Sequence, residues 1–169
     1  QVETSEWACV AYDIQPRFRN RVALPVESMS ITAFGETEGE PSHMVDGIYE
    51  TSLSGFIDRH NGFVVDLGEE KIISGVWWSG PGTYQLELPI GYWLELSRDG
   101  SNYTTVHDGE LYHHGVAYLC GDRPYFKGLH GGRDTFFDPQ PARYIRCTPT
   151  MVHKKTDHWR INDLLVYED

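Results

Sequence analysis

Short alternating runs of apolar and polar residues mark this chain as a series of β-strands. In segment 91–97, Tyr92, Leu94 and Leu96 recur at every second position, the period of a half-buried strand. The Asp-Gly pair at 99–100 follows and predicts a hairpin turn, because glycine readily adopts the positive φ that tight turns require. The pattern therefore predicts a strand, a turn and a return strand.

Further strands are predicted at residues 29–34, 63–68, 72–78, 103–106, 116–119, 135–138, 143–148 and 161–167. Seventeen glycines and nine prolines interrupt the chain, which disfavours long helices. Many short strands separated by turns predict an all-β fold, an antiparallel β-sandwich or jelly roll.

Two segments do not fit this pattern. Residues 1–28 mix aromatic and charged side chains without a period, and we predict an amino-terminal arm that packs on the body or on a neighbour. Residues 107–134 are predicted to be a long excursion with one short strand. The sandwich domain itself is predicted to span 29–169.

The charge balance limits the partners of the chain. It has 169 residues, with 14 Lys and Arg against 25 Asp and Glu, and a formal charge of −11. Phosphate recognition needs a basic surface, so binding of nucleic acid by bulk charge is excluded. The same charge opposes attraction to anionic membrane lipid. No apolar run approaches the ~20 residues that span a bilayer.

The chain begins with Gln1, and Asn102 heads an Asn-Tyr-Thr glycosylation acceptor. Together these features favour a secreted chain with a glycan at Asn102. The chain has three cysteines, Cys9, Cys120 and Cys147, which allow one disulfide. A disulfide from Cys9 to either of the others would tie the amino-terminal arm to the body. The alternative is that all three are buried free thiols.

No sequence pattern of a known catalytic site is found: GxSxG, HExxH, Walker and GxGxxG motifs are absent. A small sandwich without a recognised nucleophile or metal triad is typical of a binding module rather than an enzyme. We therefore predict that the chain is not an enzyme.

Six segments in order resemble the discoidin-like domain, the coagulation-factor type C domain of the galactose-binding-like superfamily, which also occurs as a carbohydrate-binding module. They are MVDGIYET (44–51), FVVDLG (63–68), KIISGVWW (71–78), WLELSRDGSNY (93–103), ARYIRCTP (142–149) and INDLLVY (161–167). The resemblance spans about residues 29–167 and implies a β-sandwich that binds glycans.

Members of that family often hold a structural calcium ion. Carried over to this chain, the resemblance implies ligands from Asp46, Thr51, the carbonyls of His43 and Ile48, and Asp163 beside Asn162. Calcium takes six to eight oxygen ligands. This chain departs from the family where Leu53 replaces the usual Trp and Asp163 the usual Glu. The alternative is that Asp46 only initiates an Asx turn.

In sugar-binding relatives the ligand sits among the loops at one end of the sandwich, with an aromatic ring against the pyranose and polar side chains on its hydroxyls. The matching residues here are Phe56, Arg59, His60, Tyr84, Gln85, His153, Lys154, His158 and Trp159. Trp159 with His158 is the preferred pair, because an indole at a loop edge has both apolar and polar character. The alternatives are that Trp159 is a core residue, and that His60 and His153 are solvated loop residues.

Two hypotheses follow. The first is a secreted, noncatalytic lectin-like module that binds a glycan or glycoprotein, with structural calcium, and gains avidity as a homo-oligomer. The second is an extracellular adhesive or structural subunit that acts by protein–protein assembly through the unmatched segments 1–28 and 107–134.

Overall fold

The computed structural model describes residues 22–48, 50–80, 87–110, 116–120, 123–127, 132–152 and 156–169. Twelve strands lie within these residues. They are β1 (Val22–Ala23), β2 (Ser30–Phe34), β3 (Thr37–Glu38), β4 (Leu53–Phe56), β5 (Gly62–Ser79), β6 (Gly91–Ser97), β7 (Thr104–Glu110), β8 (Val116–Cys120), β9 (Arg123–Lys127), β10 (Gly132–Met151), β11 (His158–Ile161) and β12 (Asp163–Glu168). Two 3₁₀ turns, Val26–Ser28 and Pro41–Met44, complete the described elements.

All strand pairs are antiparallel, and the strands form three sheets. The large sheet runs β1-β12-β5-β10-β6-β7, and β2 pairs with the first part of β5. A small sheet runs β11-β4-β3, and β8 pairs with β9. The fold class predicted from the sequence, an all-β antiparallel sandwich, is confirmed.

The core lies between the large and small sheets. Phe63 and Leu94 enter it from the large sheet, and Leu53 and Ile161 from the small one; each is at most 1% exposed. Burial of such side chains contributes about 1.5 to 3 kcal/mol each. The predicted alternation in β6 is confirmed.

The two longest strands were each predicted as two. The predicted strands 63–68 and 72–78 are one strand, β5, in which Gly68 has φ +79°. Strand β10 likewise joins the predicted strands 135–138 and 143–148, and its register shifts between Phe136 and Gln140. Irregularities of this kind bend a strand without ending it. Because the sequence shows turn signals at these positions, each of the two strands was predicted as two.

The predicted boundary after residue 28 falls later than the observed start of the sandwich. Val22 and Ala23 pair with the end of β12, and Leu24 is 5% exposed. Residues 22–28 therefore belong to the body. The remainder of the predicted arm lies outside the described residues.

The outer face of the large sheet carries arginine–carboxylate pairs. Arg146 on β10 donates two hydrogen bonds to Glu95 on β6, of 2.7 and 2.9 Å. Arg143 similarly binds Asp66, with 2.8 and 3.0 Å. Both arginines thus pair with part of the acidic surplus of the chain.

Cys147 is a buried free thiol, and burial raises its pKa. A free thiol at this position contradicts a Cys9–Cys147 disulfide. Cys9 and the side chain of Cys120 lie outside the described part of the chain, so their pairing stays a prediction.

Within the described residues, neither 3₁₀ turn nor any other helix has the length and apolarity needed to cross a bilayer.

Candidate functional site

The described residues of three connections meet at one end of the sandwich: 57–61 between β4 and β5, 80 and 87–90 between β5 and β6, and 152 and 156–157 between β10 and β11. Backbone hydrogen bonds join their edges: Ile57 N to Asp157 O (2.8 Å), Arg160 N to Glu87 O (2.9 Å) and Ile90 N to Met151 O (2.9 Å). We call this region the loop end. Antiparallel pairing of β4 with β11 and of β6 with β10 brings the connections together.

Phe56 and His158 form an exposed ring pair at the loop end. They are register partners at the end of β4 and the start of β11. Their ring centroids are 4.0 Å apart, at an interplanar angle of 45°. Phe56 is 42% exposed, and His158 Nδ1 lies 2.7 Å from the Asp157 carboxylate that it hydrogen-bonds. An apolar ring beside a polar ring suits a ligand with one apolar and one hydroxylated surface.

Hydrogen bonds to the side chains of Asp58 and Asn61 hold the β4–β5 connection in place. The Asp58 carboxylate accepts hydrogen bonds from the amides of His60 (2.8 Å) and Asn61 (3.0 Å). Asn61 is 1% exposed, and its side chain donates to the Phe56 carbonyl (3.3 Å) and accepts from the Glu36 amide. These bonds fix the loop that presents Arg59 and His60.

Arg59 adopts an unusual backbone conformation in this loop, with φ +66°. A left-handed conformation costs a non-glycine residue about 1 to 2 kcal/mol. Its guanidinium lies 5.4 Å from the ring centroid of Trp93 on β6, within cation–π range. Both Arg59 and His60 are exposed.

For Trp159, the preferred prediction of a ligand-binding ring is wrong, and the alternative of a core residue is confirmed. Its side chain is fully buried and packs 6.2 Å from the ring of Phe63, centroid to centroid. Gly55 lies beneath the indole, since a Cβ at that position would stand 3.1 Å from two of its atoms. A ring enclosed by both sheets cannot stack on a sugar, so Trp159 is a core residue.

Phe56, Arg59, His60 and His158 are therefore the predicted binding residues that the structure brings to the loop end. Tyr84, Gln85, His153 and Lys154 lie outside the described residues. Sequence reasoning missed Asn61 and Trp93. The Asp-x-x-Asn spacing at 58–61 is the sequence signal for Asn61, because it is typical of a side-chain-capped turn. For Trp93, the sequence predicts only a strand residue whose side chain points outward.

A second site lies in the connection 45–52. The Thr51 hydroxyl is 2.8 Å from Asp46 Oδ2 and 2.8 Å from the Ile48 carbonyl. The Ile48 amide donates to Asp46 Oδ1 (2.8 Å). This hydrogen bond, together with the one from Thr51, lowers the pKa of Asp46. The Asx turn considered from the sequence is present, and three oxygen-bearing groups converge on it.

The remaining predicted metal ligands are the His43 carbonyl and the side chains of Asn162 and Asp163. His43 lies in the neighbouring 3₁₀ turn, Pro41–Met44, where its ring accepts from the Glu40 amide. Asp163 accepts from the Ser79 hydroxyl (2.7 Å), and Asn162 is buried. Among the described residues, no three His, Cys, Asp or Glu side chains group as a metal site. The donors at 46–51 are instead a carboxylate, a hydroxyl and a carbonyl, a set of hard oxygens that fits calcium.

Asn102 is exposed at the end of the turn 97–102. Its side chain donates to Asp99 Oδ2 (2.7 Å), while the amides of Ser101 and Asn102 bind Asp99 Oδ1. These bonds lower the pKa of Asp99. The predicted Gly100 has φ +74°, as a tight turn requires. Glycosylation of Asn102 stays a prediction.

No protein-family model matches the sequence, and the comparison with curated proteins gives no match. Solved structures do match. A family 32 carbohydrate-binding module from Clostridium perfringens, in complex with GalNAc-β-1,3-galactose, has a TM-score of 0.67 and 17% identity over 86% of this chain and 99% of that one. The chain has the discoidin-like β-sandwich fold.

Two further modules share this fold. The family 32 module of C. perfringens NanJ, in complex with galactose, has a TM-score of 0.66 and 19% identity, covering 88% of this chain and 99% of its own. The module of AlyQ, in complex with 4,5-unsaturated mannuronic acid, has a TM-score of 0.61 and 20% identity over 86% and 97%. Neighbours thus include modules bound to neutral and to acidic sugars.

Proposed function

We propose that this discoidin-like chain is a noncatalytic carbohydrate-binding module whose ligand lies at the loop end. The observation that carries the proposal is the exposed Phe56–His158 ring pair beside a loop locked by Asn61. A pyranose would place its apolar face on Phe56, while His158 would hydrogen-bond its hydroxyls; Arg59 and His60 are further candidates on the same connection. The glycan complexes of the structural neighbours support this class of ligand.

The experiment is a glycan array, followed by titration calorimetry with the best glycan. We expect Phe56→Ala to weaken binding about two- to twelvefold, since stacking of this kind contributes about 0.5 to 1.5 kcal/mol. Ile72→Ala is a matched control, because Ile72 is similarly exposed (44%) but lies in the middle of β5. Absence of binding to every glycan by the folded protein would remove the proposal.

We also propose that the connection 45–52 holds a structural calcium ion through Asp46, Thr51 and the Ile48 carbonyl, with His43, Asn162 and Asp163 as further candidates. When bound, calcium would neutralise the Asp46 carboxylate and hold the connection closed. At a hundredfold excess over its dissociation constant, it would stabilise the fold by about 2.7 kcal/mol.

The variant Asp46→Asn separates calcium binding from the Asx turn, because the amide oxygen still accepts the Ile48 amide. We expect calcium to raise the melting temperature of the wild type and leave Asp46→Asn unchanged. Asp58→Asn, which alters a second Asx-type turn, should respond like the wild type. No change in the wild type after removal of divalent ions with chelator would overturn the calcium proposal.

A further inference from the structure

One half of the large sheet carries apolar side chains on both of its faces. This half consists of β12, the second part of β5 and the first part of β10. Leu164, Val166 and Trp78 point into the core and are at most 2% exposed. Successive strand residues point to opposite faces, so the residues between them point outward. The outward side chains are half-buried, and we call them the aromatic face: Trp77, Phe136, Leu165 and Tyr167.

The strand register makes the aromatic face continuous. Trp77 lies opposite Leu165 in one row, and in the adjacent row Gly75 lies between Phe136 and Tyr167. The Phe136 ring covers Gly75, where a Cβ would overlap it. The centroids of the Phe136 and Tyr167 rings are 5.6 Å apart. The four side chains therefore form one apolar patch across three strands.

The other half of the large sheet has a polar outer face. There, Arg146 is ion-paired with Glu95, as is typical of an antiparallel sheet that faces water on one side. Strands that are covered on both faces are instead near-continuous apolar runs. Residues 72–78 and 164–167 are such runs. A contiguous apolar patch on a sheet face marks an interaction surface, so the aromatic face calls for a covering partner.

Residues 1–21 have the position, length and side chains that this cover needs. The chain enters the sheet at β1, where Ala23 is the register partner of Tyr167, so the segment starts at the border of the aromatic face. From β1 to β10 is about 14 Å, three strand spacings. The 21 residues extend up to about 70 Å, and they include apolar rings such as Trp7 and Phe18. The segment can therefore cross the whole face.

Charge also favours this segment as the partner. Three arginines lie just before β1: Arg17, Arg19 and Arg21. Val22 pairs with Glu168, and the same register extended by one residue would place Arg21 opposite Asp169. Asp134, at the opposite border of the face on β10, is exposed. A second copy of the chain, with a charge of −11, would instead be repelled by these carboxylates.

We propose that residues 1–21 pack on the aromatic face of their own chain and form an additional outer layer of the sandwich. The apolar rings of the segment would bury Trp77 and Leu165, and its arginines would pair with the carboxylates at the borders. The segment would thereby close the one apolar sheet face to other molecules. This inference goes beyond glycan binding, which concerns the loop end.

Photo-cross-linking of the full chain tests where the segment lies. The variant Leu165→p-benzoylphenylalanine places a photoreactive group on the aromatic face. The same replacement at Val64, half-buried on the outer face of the other half of the sheet, is the matched control. We expect position 165 to cross-link to residues 1–21 of the same chain, and position 64 not to do so. Mass spectrometry of mixed isotopically labelled and unlabelled protein separates links within a chain from links between chains.

Proteolysis gives a second measurement. Trypsin cuts after arginine and has three sites in the segment: Arg17, Arg19 and Arg21. Trp77→Ser removes the largest side chain of the aromatic face and leaves the buried Trp78 in the core. We expect cleavage at these sites to be about fivefold faster or more in this variant, because proteolysis follows the population of the open form. Val64→Ser should be cut like the wild type, and melting curves establish that both variants are folded.

Two results overturn the inference without affecting the proposed glycan-binding function. Cross-links from position 165 to another chain, or none to residues 1–21, contradict packing of the segment on its own aromatic face. Equal cleavage rates for the wild type and a folded Trp77→Ser variant contradict it as well. The cross-linking result decides the question if Trp77→Ser does not fold.

Discussion

The loop end and the outer face of the large sheet use arginine in opposite ways. On the outer face, Arg143 and Arg146 each bind a carboxylate through two hydrogen bonds. Arg59 reaches from the loop end over Trp93 of β6, without an ion pair among the described residues. An ion pair within the chain satisfies both groups and stabilises the sheet modestly, whereas an unpaired group can bind an external ligand. The two regions therefore differ in whether their arginines form ion pairs within the chain.

The aromatic residues differ in the same manner. Trp159 packs over Gly55 of β4 and is fully buried. Phe56, the residue after Gly55 in β4, is 42% exposed. The pleat of a strand sends neighbouring residues to opposite faces. One face of the small sheet therefore supplies the core, and the other supplies the loop end with its exposed ring.

The largest expected effect is on the buried indole. Trp159→Ala should lower the free energy of unfolding by about 3 to 5 kcal/mol through loss of burial and a cavity. Phe56→Ala should lower it by less than about 1 kcal/mol. Urea unfolding monitored by circular dichroism measures both. Similar losses for the two variants would contradict the division between core and binding ring.

A smaller effect is expected from removing a paired arginine. Arg146→Ala leaves Glu95, whose side chain is 16% exposed, without its charged partner. We expect a loss of about 1 to 2 kcal/mol. Arg59→Ala should change stability by less than about 0.5 kcal/mol. The same unfolding assay applies, and a greater loss for Arg59→Ala would show that Arg59 is structural.

The strained backbone at Arg59 predicts that a glycine there raises the free energy of unfolding while glycan binding is weakened. Arg59→Gly should be about 1 kcal/mol more stable than Arg59→Ala, because glycine adopts φ +66° without a steric penalty. Both variants lack the guanidinium and should bind the best glycan of the array equally. Thermal unfolding of the pair checks the first part; equal stabilities would mean that the loop relaxes to another conformation.

The smallest effect concerns pH and the outer face. Hydrogen bonds from Arg143 lower the pKa of Asp66 below 3.8. Because the folded pKa is depressed, the unfolded chain binds more protons in acid. The stability from this pair is present above the unfolded pKa and is lost as pH falls through the folded value.

We therefore expect Arg143→Gln to lose less stability than the wild type between about pH 5 and pH 2, by under about 1 kcal/mol for an exposed pair. Unfolding curves at several pH values measure the difference. Arg98→Gln, whose partner is Glu70, provides a second exposed pair for comparison. Parallel pH profiles for the wild type and Arg143→Gln would contradict the assigned cause.

Local patterns sufficed for much of the fold. Alternation correctly oriented Tyr92, Leu94 and Leu96 inward, since the two-residue period of a strand depends only on the strand itself. The Asp-Gly turn at 99–100 was likewise predictable from glycine's backbone freedom. Local patterns failed at β5 and β10, where a bulge or register shift bends a strand that its neighbours keep continuous.

Sites were predicted less completely than strands. The order of motifs pointed to the connections holding Phe56, Arg59 and Asp46. The motif order could not show that Trp159 is buried and Phe56 exposed, because both are aromatic residues near the end of a strand. Asn61 stayed unnoticed, since its role depends on reaching Glu36, 25 residues away.

By itself, the sequence determined the strand-rich character of the chain, its acidic balance and its resemblance to discoidin-like domains, because composition and period are properties of neighbouring residues. Only the tertiary structure decided which aromatic ring is enclosed and which arginine lacks a carboxylate. Those properties depend on groups far apart in sequence: Arg59 and Trp93, or Arg146 and Glu95. Burial and ion pairing are relations across the sheets, and the chain defines them only when it is folded.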